Sequence, residues 1–169
     1  MEKDAFVFFW GHTSKDNKIT KSCFSQWYMA PFVVNEKKYI CAEQYMMEQK
    51  ALLFNNNDIA EKIMATENPS EHKSLGREIV GFNDVEWDKF KYEFVFKANL
   101  AKFSQNIELK EFLLSTGSKI LVEASPYDQI WGIGLSATDE KATNPAQWRG
   151  QNLLGMALMQ VRALLVAEV

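Results

Sequence analysis

The sequence predicts an α+β fold, a single compact and mostly helical domain with a small β-sheet. The chain has 169 residues, of which 47% are hydrophobic and 13% aromatic, and this composition can bury one sizeable core. A few short apolar runs have the length of strands, whereas longer segments repeat apolar residues at the helical period. Strands and helices do not alternate strictly, which favours α+β over α/β. We therefore expect one domain over residues 1–169.

The expected strands are short segments rich in apolar residues. They cover residues 5–10 (AFVFFW), 23–28, 32–40 and 119–124. The polar residues Asn35, Glu36 and Lys37 interrupt the third segment and predict a turn inside it. Residues 125–147 are expected to be mostly loop.

The expected helices begin with residues 39–54, where apolar residues recur at three- and four-residue intervals. Asp58 lies near the start of the second helix, where the helix dipole favours an acidic group, and Pro69 begins the third. Phe90 and Phe94 have helical spacing in the fourth. These five further helices cover residues 58–65, 69–77, 88–103, 107–114 and 153–166, with Trp87 at the entrance of the fourth and Asn152 as the N-cap of the sixth.

Composition and charge exclude several classes of protein. The net charge of -3 gives no general attraction to nucleic acid. Neither the two cysteines, Cys23 and Cys41, nor the two histidines, His12 and His72, have the spacing of a metal site, so we expect no metal, no cofactor and no disulfide scaffold. The charged start lacks the apolar segment of a signal peptide, and no stretch has the length to span a bilayer. We therefore expect a cytoplasmic protein that does not bind membranes.

The helix at 39–54 carries two opposite charges on its apolar face. At about 100° per residue, Glu43 and Lys50 fall close together on the helical wheel, in the arc that also holds Met46 and Met47. Burying a carboxylate and an ammonium is costly unless they are paired or have a function. Their backbones lie roughly 10 Å apart. The two side chains either serve structure, as an ion pair or a lysine reaching to solvent, or bracket a small ligand.

A second candidate site is the segment 128–134 (DQIWGIG). Gly132 and Gly134 let the backbone approach a ligand while Trp131 covers it; the alternative is a tight turn beside a core tryptophan. Asp128, next to this aromatic wall, is placed to act as a general acid or base, or it caps a turn. The segment lacks the third glycine and the strand-to-helix context of a dinucleotide site.

Four further polar residues each have a binding and a structural interpretation. Arg77, at an expected helix end, binds a phosphate or interacts favourably with the helix C-terminus. Ser25 and Gln26 stand next to two aromatic residues, which suits recognition of a base and a sugar, or they belong to the core. Asn152 contacts a ligand or caps a helix.

Short motifs occur in a fixed order along nearly the whole chain. They are FSQWY at 24–28, AEQY at 42–45, QKA at 49–51, LGR at 75–77, Trp87, LVEA at 121–124, Asp128, WGIG at 131–134 and NLLG at 152–155. No single motif is specific, but the ordered set resembles the NADAR family of YbiA-like proteins from about Phe8 to Leu165. The family often has Ser-Asn at 25–26 and Glu-His at 43–44, where this chain has Ser-Gln and Glu-Gln.

The resemblance implies a NADAR-like fold and an N-glycosidase, an enzyme that hydrolyses the bond between ribose C1 and a nitrogen. One branch of the family acts on phosphoribosylamino-pyrimidine intermediates of riboflavin synthesis, and another removes ADP-ribose from guanine. The implied partner is thus a small-molecule ribosyl or ADP-ribosyl substrate, or ADP-ribosylated nucleic acid, without a cofactor. The departures at positions 26 and 44 leave the choice of branch open.

The same resemblance gives roles to the candidate residues. Desolvation disfavours a charged lysine, so Lys50 is expected to be the neutral nucleophile that forms a Schiff base with an opened ribose, as proposed for the family. Glu43 stabilises the oxocarbenium-like charge or shuttles protons, and Asp128 protonates the leaving base or activates water. The other expected site residues are Trp87 and Trp131 against the base or sugar, Arg77 on phosphate, Ser25 and Gln26 on ribose or base, Gly132 and Gly134 through their amides, and Asn152.

Two rival functions remain open at this point. Cleavage of ADP-ribosylated guanine in DNA or RNA predicts a basic rim and salt-sensitive binding. A non-catalytic sensor of NAD or ADP-ribose needs the aromatic and glycine elements, but it does not need Glu43, Lys50 and Asp128 together. Their joint presence favours the enzyme.

Overall fold

The computed structural model describes residues 2–168, which fall into two compact units. The central unit is Gln26–Asn106, and the terminal unit combines the segment up to Ser25 with the segment from Ile107 onward. The strands are Phe6–Phe9 (β1), Phe32–Val34 (β2), Lys37–Tyr39 (β3) and Ile120–Glu123 (β4). The α-helices are Ala42–Leu53 (α1), Asn57–Ala65 (α2), Pro69–Arg77 (α3), Asp84–Gln105 (α4), Ile107–Ser115 (α5) and Leu153–Ala167 (α6). The predicted α+β class is confirmed, and the single domain over 1–169 stays a prediction.

In the central unit, α1 packs against α2, α3 and α4. Next to α1, β2 and β3 form the predicted antiparallel hairpin, and its turn residues Asn35 and Glu36 have φ values of 50° and 67°. Positive φ at both turn positions matches the right-handed twist of the flanking strands. Phe32, Tyr39 and Tyr45 form a core cluster with Ala98 of α4 and nearby residues, so the hairpin closes the unit beside α1.

In the terminal unit, β1 pairs in parallel with β4, and α6 packs against β4. Phe6 lies opposite Ile120 in the register of the two strands. Gly155 of α6 permits the close packing, because a Cβ atom there would lie 2.1 Å from the Leu121 carbonyl oxygen. The helix expected at 153–166 and the strand expected at 119–124 are therefore present, as α6 and β4.

Residues 23–28 do not form the expected strand. Lys21–Phe24 is a short 3-10 helix instead. The Thr20 hydroxyl oxygen accepts a hydrogen bond from the Ser22 N–H at 3.3 Å, and this local cap favours a helical turn over an extended chain. Cys23 and Phe24 are fully buried, although neither belongs to a strand.

Two helices begin three or more residues away from the expected position. The first begins at Ala42 because Tyr39 belongs to the hairpin, where it pairs with Phe32. The fourth begins at Asp84, four residues early, because Asn83 caps it by accepting a hydrogen bond from the Glu86 N–H at 3.1 Å. Trp87 therefore lies inside the first turns of α4 and not at its entrance.

Asn152 does not cap α6 with its side chain, contrary to expectation. Its backbone has a φ of 54°, and its amide instead binds the backbone of β4. The Oδ1 atom accepts from the Glu123 N–H at 3.0 Å, and Nδ2 donates to the Leu121 carbonyl at 2.9 Å. Asn152 thus links the start of α6 to the strand against which the helix packs.

We expect Asn152→Ala to destabilise the protein by roughly 2–4 kcal/mol, because two buried backbone groups lose their hydrogen bonds and alanine is disfavoured at positive φ. Unfolding in urea, followed by circular dichroism, measures the change. The control is Asn144→Ala, which removes an exposed cap on the Ala146 N–H and should cost about 1 kcal/mol. Equal costs for the two variants would contradict the role of Asn152.

Candidate active site

Glu43 lies in the first turn of α1 and is only 5% exposed. Its backbone N–H donates to the Gln26 carbonyl oxygen at 3.0 Å, which fixes the helix start against the preceding segment. The N-terminal end of the helix dipole favours a negative charge at this position. The structure therefore buries the acidic group that the helical pattern placed on an apolar face.

Lys50 lies in the last turn of the same helix and is half-buried. Its Nζ atom donates to the Gly76 carbonyl oxygen of α3 at 3.3 Å. The ammonium also faces two aromatic rings, at 4.6 Å from the Phe82 ring centre and 5.7 Å from that of Trp87. The lysine thus points into an aromatic and apolar setting formed within the central unit.

Burial is the main cause that lowers the pKa of Lys50 below its ordinary value. The nearby positive charge of Arg77 acts in the same direction, whereas the negative charges of Glu43 and Asp84 oppose it. Since desolvation disfavours the charged form of an amine, the neutral fraction at a given pH exceeds that of an exposed lysine. A neutral amine is the form that acts as a nucleophile.

The structural ion pair of α1 belongs to Glu48, which the sequence interpretation did not single out. Glu48 is 1% exposed, and its Oε2 accepts from Lys37 Nζ at 3.0 Å. Its other oxygen accepts a short hydrogen bond from the Tyr39 hydroxyl, and burial beside this carboxylate raises the pKa of Tyr39. The Lys50 hydrogen bond, by contrast, goes to a neutral carbonyl.

Two of the residues that surround Lys50 or act on it by charge, Trp87 and Arg77, were predicted from the sequence. Trp87, an expected site residue, is 8% exposed and presents its ring to the lysine. Arg77 is exposed at the end of α3 and acts on Lys50 through its charge. Phe82 and Asp84 were missed, because both precede residue 88, the expected start of the fourth helix, and a single aromatic or acidic residue there carries no periodic signal.

Gln26 is the remaining predicted residue of the central unit. Its side-chain Oε1 accepts from Asn99 Nδ2 of α4 at 2.9 Å, while its carbonyl accepts from the Glu43 N–H. Gln26 thus connects α4 to the start of α1. Asn99, fully buried, was not identified from the sequence, because it lies on a helix whose pattern is otherwise that of a core element.

The other predicted site residues belong to the terminal unit: Ser25, Asp128, Trp131, Gly132, Gly134 and Asn152. Asp128 stabilises a turn there. Its Oδ1 accepts from the N–H groups of Ile130 at 2.9 Å and Trp131 at 2.8 Å, and its carbonyl accepts from the Gly134 N–H. This is the turn-capping interpretation of Asp128, and it holds the following tryptophan and glycines in one fixed loop.

The glycines of this loop are required by close packing. A Cβ at Gly132 would lie 2.8 Å from the Glu123 carbonyl oxygen, and one at Gly150 would lie 2.3 Å from the Gly132 carbonyl oxygen. Gly134 has a φ of 68°, which favours glycine. This packing agrees with the tight-turn alternative for Gly132 and Gly134, and their approach to a ligand stays a prediction.

Cys41 and His72 form a buried pair in the central unit, with the Cys41 Sγ atom 3.8 Å from His72 Nδ1. The other ring nitrogen lies 2.6 Å from the Thr66 carbonyl oxygen, which makes it the protonated donor. Burial raises the pKa of Cys41 to about 11 and lowers the pKa of His72. The pair is a neutral thiol beside a neutral imidazole, which is unsuited to thiolate chemistry.

Within residues 2–168, no three histidine, cysteine, aspartate or glutamate side chains cluster in a way that would hold a metal ion. Across the same residues, no helix is both long and apolar enough to cross a bilayer.

A half-buried lysine with a lowered pKa, on the same helix as a buried carboxylate and beside two aromatic rings, is an arrangement typical of an enzyme active site. The comparisons with known proteins agree. Residues 8–166 match the NADAR domain, and the chain belongs to the NADAR family, as its motifs predicted.

Two of the relatives are named as N-glycosidases. "N-glycosidase R617" of Acanthamoeba polyphaga mimivirus is 44% identical over 167 residues, 96% of this chain and 97% of that protein. "N-glycosidase YbiA" of Escherichia coli is 29% identical over 157 residues, 93% of this chain and 88% of that protein. The NMR structure of E. coli YbiA has a TM-score of 0.78 at 27% identity and covers 99% of this chain and 89% of its own. The predicted enzyme class, an N-glycosidase, is confirmed.

A further relative has a different name. "Riboflavin biosynthesis protein PYRR, chloroplastic" of Arabidopsis thaliana is 36% identical over 115 residues, which are 66% of this chain and 17% of that protein. The similarity thus covers one part of a much longer protein.

We expect neither Cys23 nor Cys41 to react quickly with a thiol reagent in the folded protein at about pH 8, because both are fully buried and the Cys41 thiol stays protonated. A colorimetric thiol titration with and without denaturant should count none and then two. Ser74→Cys, at an exposed position of α3, supplies a fast-reacting control. Rapid reaction of a native cysteine would show that one of the two is accessible.

Proposed function

We propose that this N-glycosidase hydrolyses the bond between ribose C1 and a nitrogen through a Schiff base on Lys50. The substrate is a phosphoribosylamino-pyrimidine of riboflavin synthesis or ADP-ribosylated guanine, the two alternatives implied by the family. The observation that carries the proposal is the setting of Lys50, a half-buried amine with a lowered pKa between aromatic rings on the helix that also buries Glu43. The name of the Arabidopsis relative favours the riboflavin-pathway substrate.

The reaction follows from the chemistry of a neutral amine. The lone pair of Lys50 Nζ forms a bond to C1, and the C1–N bond breaks with its electron pair leaving on the base, which takes up a proton. Nζ loses its protons as the bond from C1 to the ring oxygen opens, and that oxygen is protonated. Water then adds to the imine, releasing the ribosyl aldehyde and the free amine.

Residues around Lys50 support this sequence of steps. Glu43 stabilises positive charge at C1 or relays the protons that the steps require. Arg77, exposed at the end of α3, is a donor for a phosphate group, and Trp87 packs against the base or sugar. The roles predicted for Ser25, Asp128, Trp131, Gly132, Gly134 and Asn152 stay predictions, each to be tested by its own substitution.

We expect Lys50→Ala to reduce base release by roughly 10⁴-fold or more, as loss of a covalent nucleophile does in other enzymes. Purified protein is incubated with phosphoribosylamino-pyrimidine and, separately, with ADP-ribosylated guanosine, and products are read by mass spectrometry. Borohydride added during turnover should reduce the imine and leave a ribosyl adduct on the peptide that contains Lys50.

The control for this experiment is Lys89→Ala, which removes an exposed lysine of α4 and should retain activity and the adduct. Normal release by Lys50→Ala would remove the lysine from the mechanism. Tight binding of ADP-ribosylated guanosine by the unsubstituted protein, without release from either compound, would support the alternative of a non-catalytic sensor of NAD or ADP-ribose.

We expect the rate of base release to rise with pH along a limb set by Lys50, because the neutral amine forms above its pKa. Arg77→Gln removes a positive charge that lowers this pKa, so the limb should move to higher pH. Asp84→Asn removes a negative charge that raises it, so the limb should move to lower pH. Rate profiles at saturating substrate measure both shifts.

Repeating both rate profiles at higher ionic strength tests whether the two shifts are caused by charge. Arg77 and Asp84 are exposed, so their influence should shrink as ionic strength rises. Shifts of the same sign in both variants would contradict the assignment of the limb to Lys50.

A further inference from the structure

Two buried polar atoms of the central unit have no hydrogen-bond partner: Gln26 Nε2 and Asn99 Oδ1. They belong to side chains that bind each other through their opposite atoms, with Asn99 Nδ2 donating to Gln26 Oε1 at 2.9 Å. Asn99 itself is fully buried. Because buried polar atoms in folded proteins are nearly always paired, a missing donor and a missing acceptor on two side chains that bind each other indicate a partner outside the chain.

The orientation of both amides is fixed by their neighbours. Asn99 Nδ2 also donates to the Val95 carbonyl oxygen at 2.8 Å, and turning this amide over would place two oxygens against each other. With Asn99 fixed, turning over the Gln26 amide would place two NH₂ groups against each other. The open atoms are therefore one N–H donor and one oxygen acceptor.

This open pair adjoins the start of α1. Gln26 accepts the Glu43 N–H through its carbonyl oxygen, and Glu43 influences Lys50 through its charge. The unsatisfied donor therefore belongs to the residue that contacts the backbone of Glu43, the carboxylate to which we assign charge stabilisation at C1. The unsatisfied acceptor belongs to Asn99, which donates a hydrogen bond to that residue.

We propose that Gln26 Nε2 and Asn99 Oδ1 bind the 2′-hydroxyl of the substrate ribose. The proposal rests on the function proposed above. A hydroxyl accepts one hydrogen bond and donates another, so a single group satisfies both atoms. A charged phosphate or ammonium would satisfy only one of them. The 2′-carbon is bonded to C1, and hydrogen bonds to this hydroxyl strengthen in the transition state of glycoside cleavage.

The test compares ribosyl and 2′-deoxyribosyl forms of the same substrate. The unsubstituted enzyme should prefer the ribosyl form in kcat/KM by about a hundredfold or more, since a site built for a hydroxyl rejects an analogue that lacks it. Gln26→Met removes the donor, and Asn99→Leu removes the acceptor. Each should reduce the preference at least about tenfold.

Two further variants separate binding from structural support. Gln26→Glu keeps an oxygen that accepts from Asn99 Nδ2 and replaces only the open donor, so it should lose the preference while remaining folded. Gln105→Met removes an amide that holds β2 through Val33, so it should lower stability and leave the preference unchanged. An unchanged preference in Gln26→Met and Gln26→Glu would overturn the proposal.

A binding experiment keeps this test separate from the proposed reaction. Calorimetry with ribose 5-phosphate and 2-deoxyribose 5-phosphate measures the same preference without turnover. If the protein cleaves no substrate but binds ribose 5-phosphate more tightly, and Gln26→Met equalises the two affinities, the hydroxyl site stands and the proposed reaction fails. Equal affinities in the unsubstituted protein would overturn the hydroxyl site, whether or not cleavage is seen.

Discussion

The burial of α1 is the constraint on which the rest of the central unit depends. The helix packs against three others, yet it carries several polar side chains that must be satisfied inside the protein. Glu48 is satisfied by Lys37. Gln44 accepts from the Ile40 N–H at 2.9 Å and donates to the Ile63 carbonyl at 3.2 Å. The hairpin and α2 are therefore held to α1 by polar contacts as well as by apolar packing.

Lys50 differs from Glu48 because its hydrogen bond goes to a neutral carbonyl oxygen. The Gly76 carbonyl, the C-terminal end of α1 and the rings of Phe82 and Trp87 all favour an ammonium. Desolvation acts against the charge and is the larger effect on the pKa. The lysine is thus held in position by the Gly76 carbonyl and two aromatic rings, while burial lowers its pKa below the ordinary value.

Local patterns in the sequence identified the features that are themselves local. Glu43 and Lys50 share a helix, so the helical period was enough to place them, and the turn of the hairpin follows from the polar residues at 35–37. Asn99 depends on Gln26, which is 73 positions away in the sequence, and Asn152 turns its amide to a strand 29 positions earlier. Helical and strand periodicity carry no information about such long-range contacts. The sequence therefore predicted that Asn152 caps α6, whereas in the structure its side chain binds the backbone of β4.

Gly76 shows how packing and chemistry are joined at one position. A Cβ there would lie 2.3 Å from the Met47 sulfur, so a side chain at this position would displace the methionine that packs between α3 and α1. Lys50 donates a hydrogen bond to the Gly76 carbonyl oxygen at this contact. Arg77, exposed and one residue later, is near enough for its positive charge to lower the pKa of Lys50. The same contact therefore packs two helices, orients the amine and lowers its pKa. The LGR motif joins these effects because its glycine and arginine are consecutive.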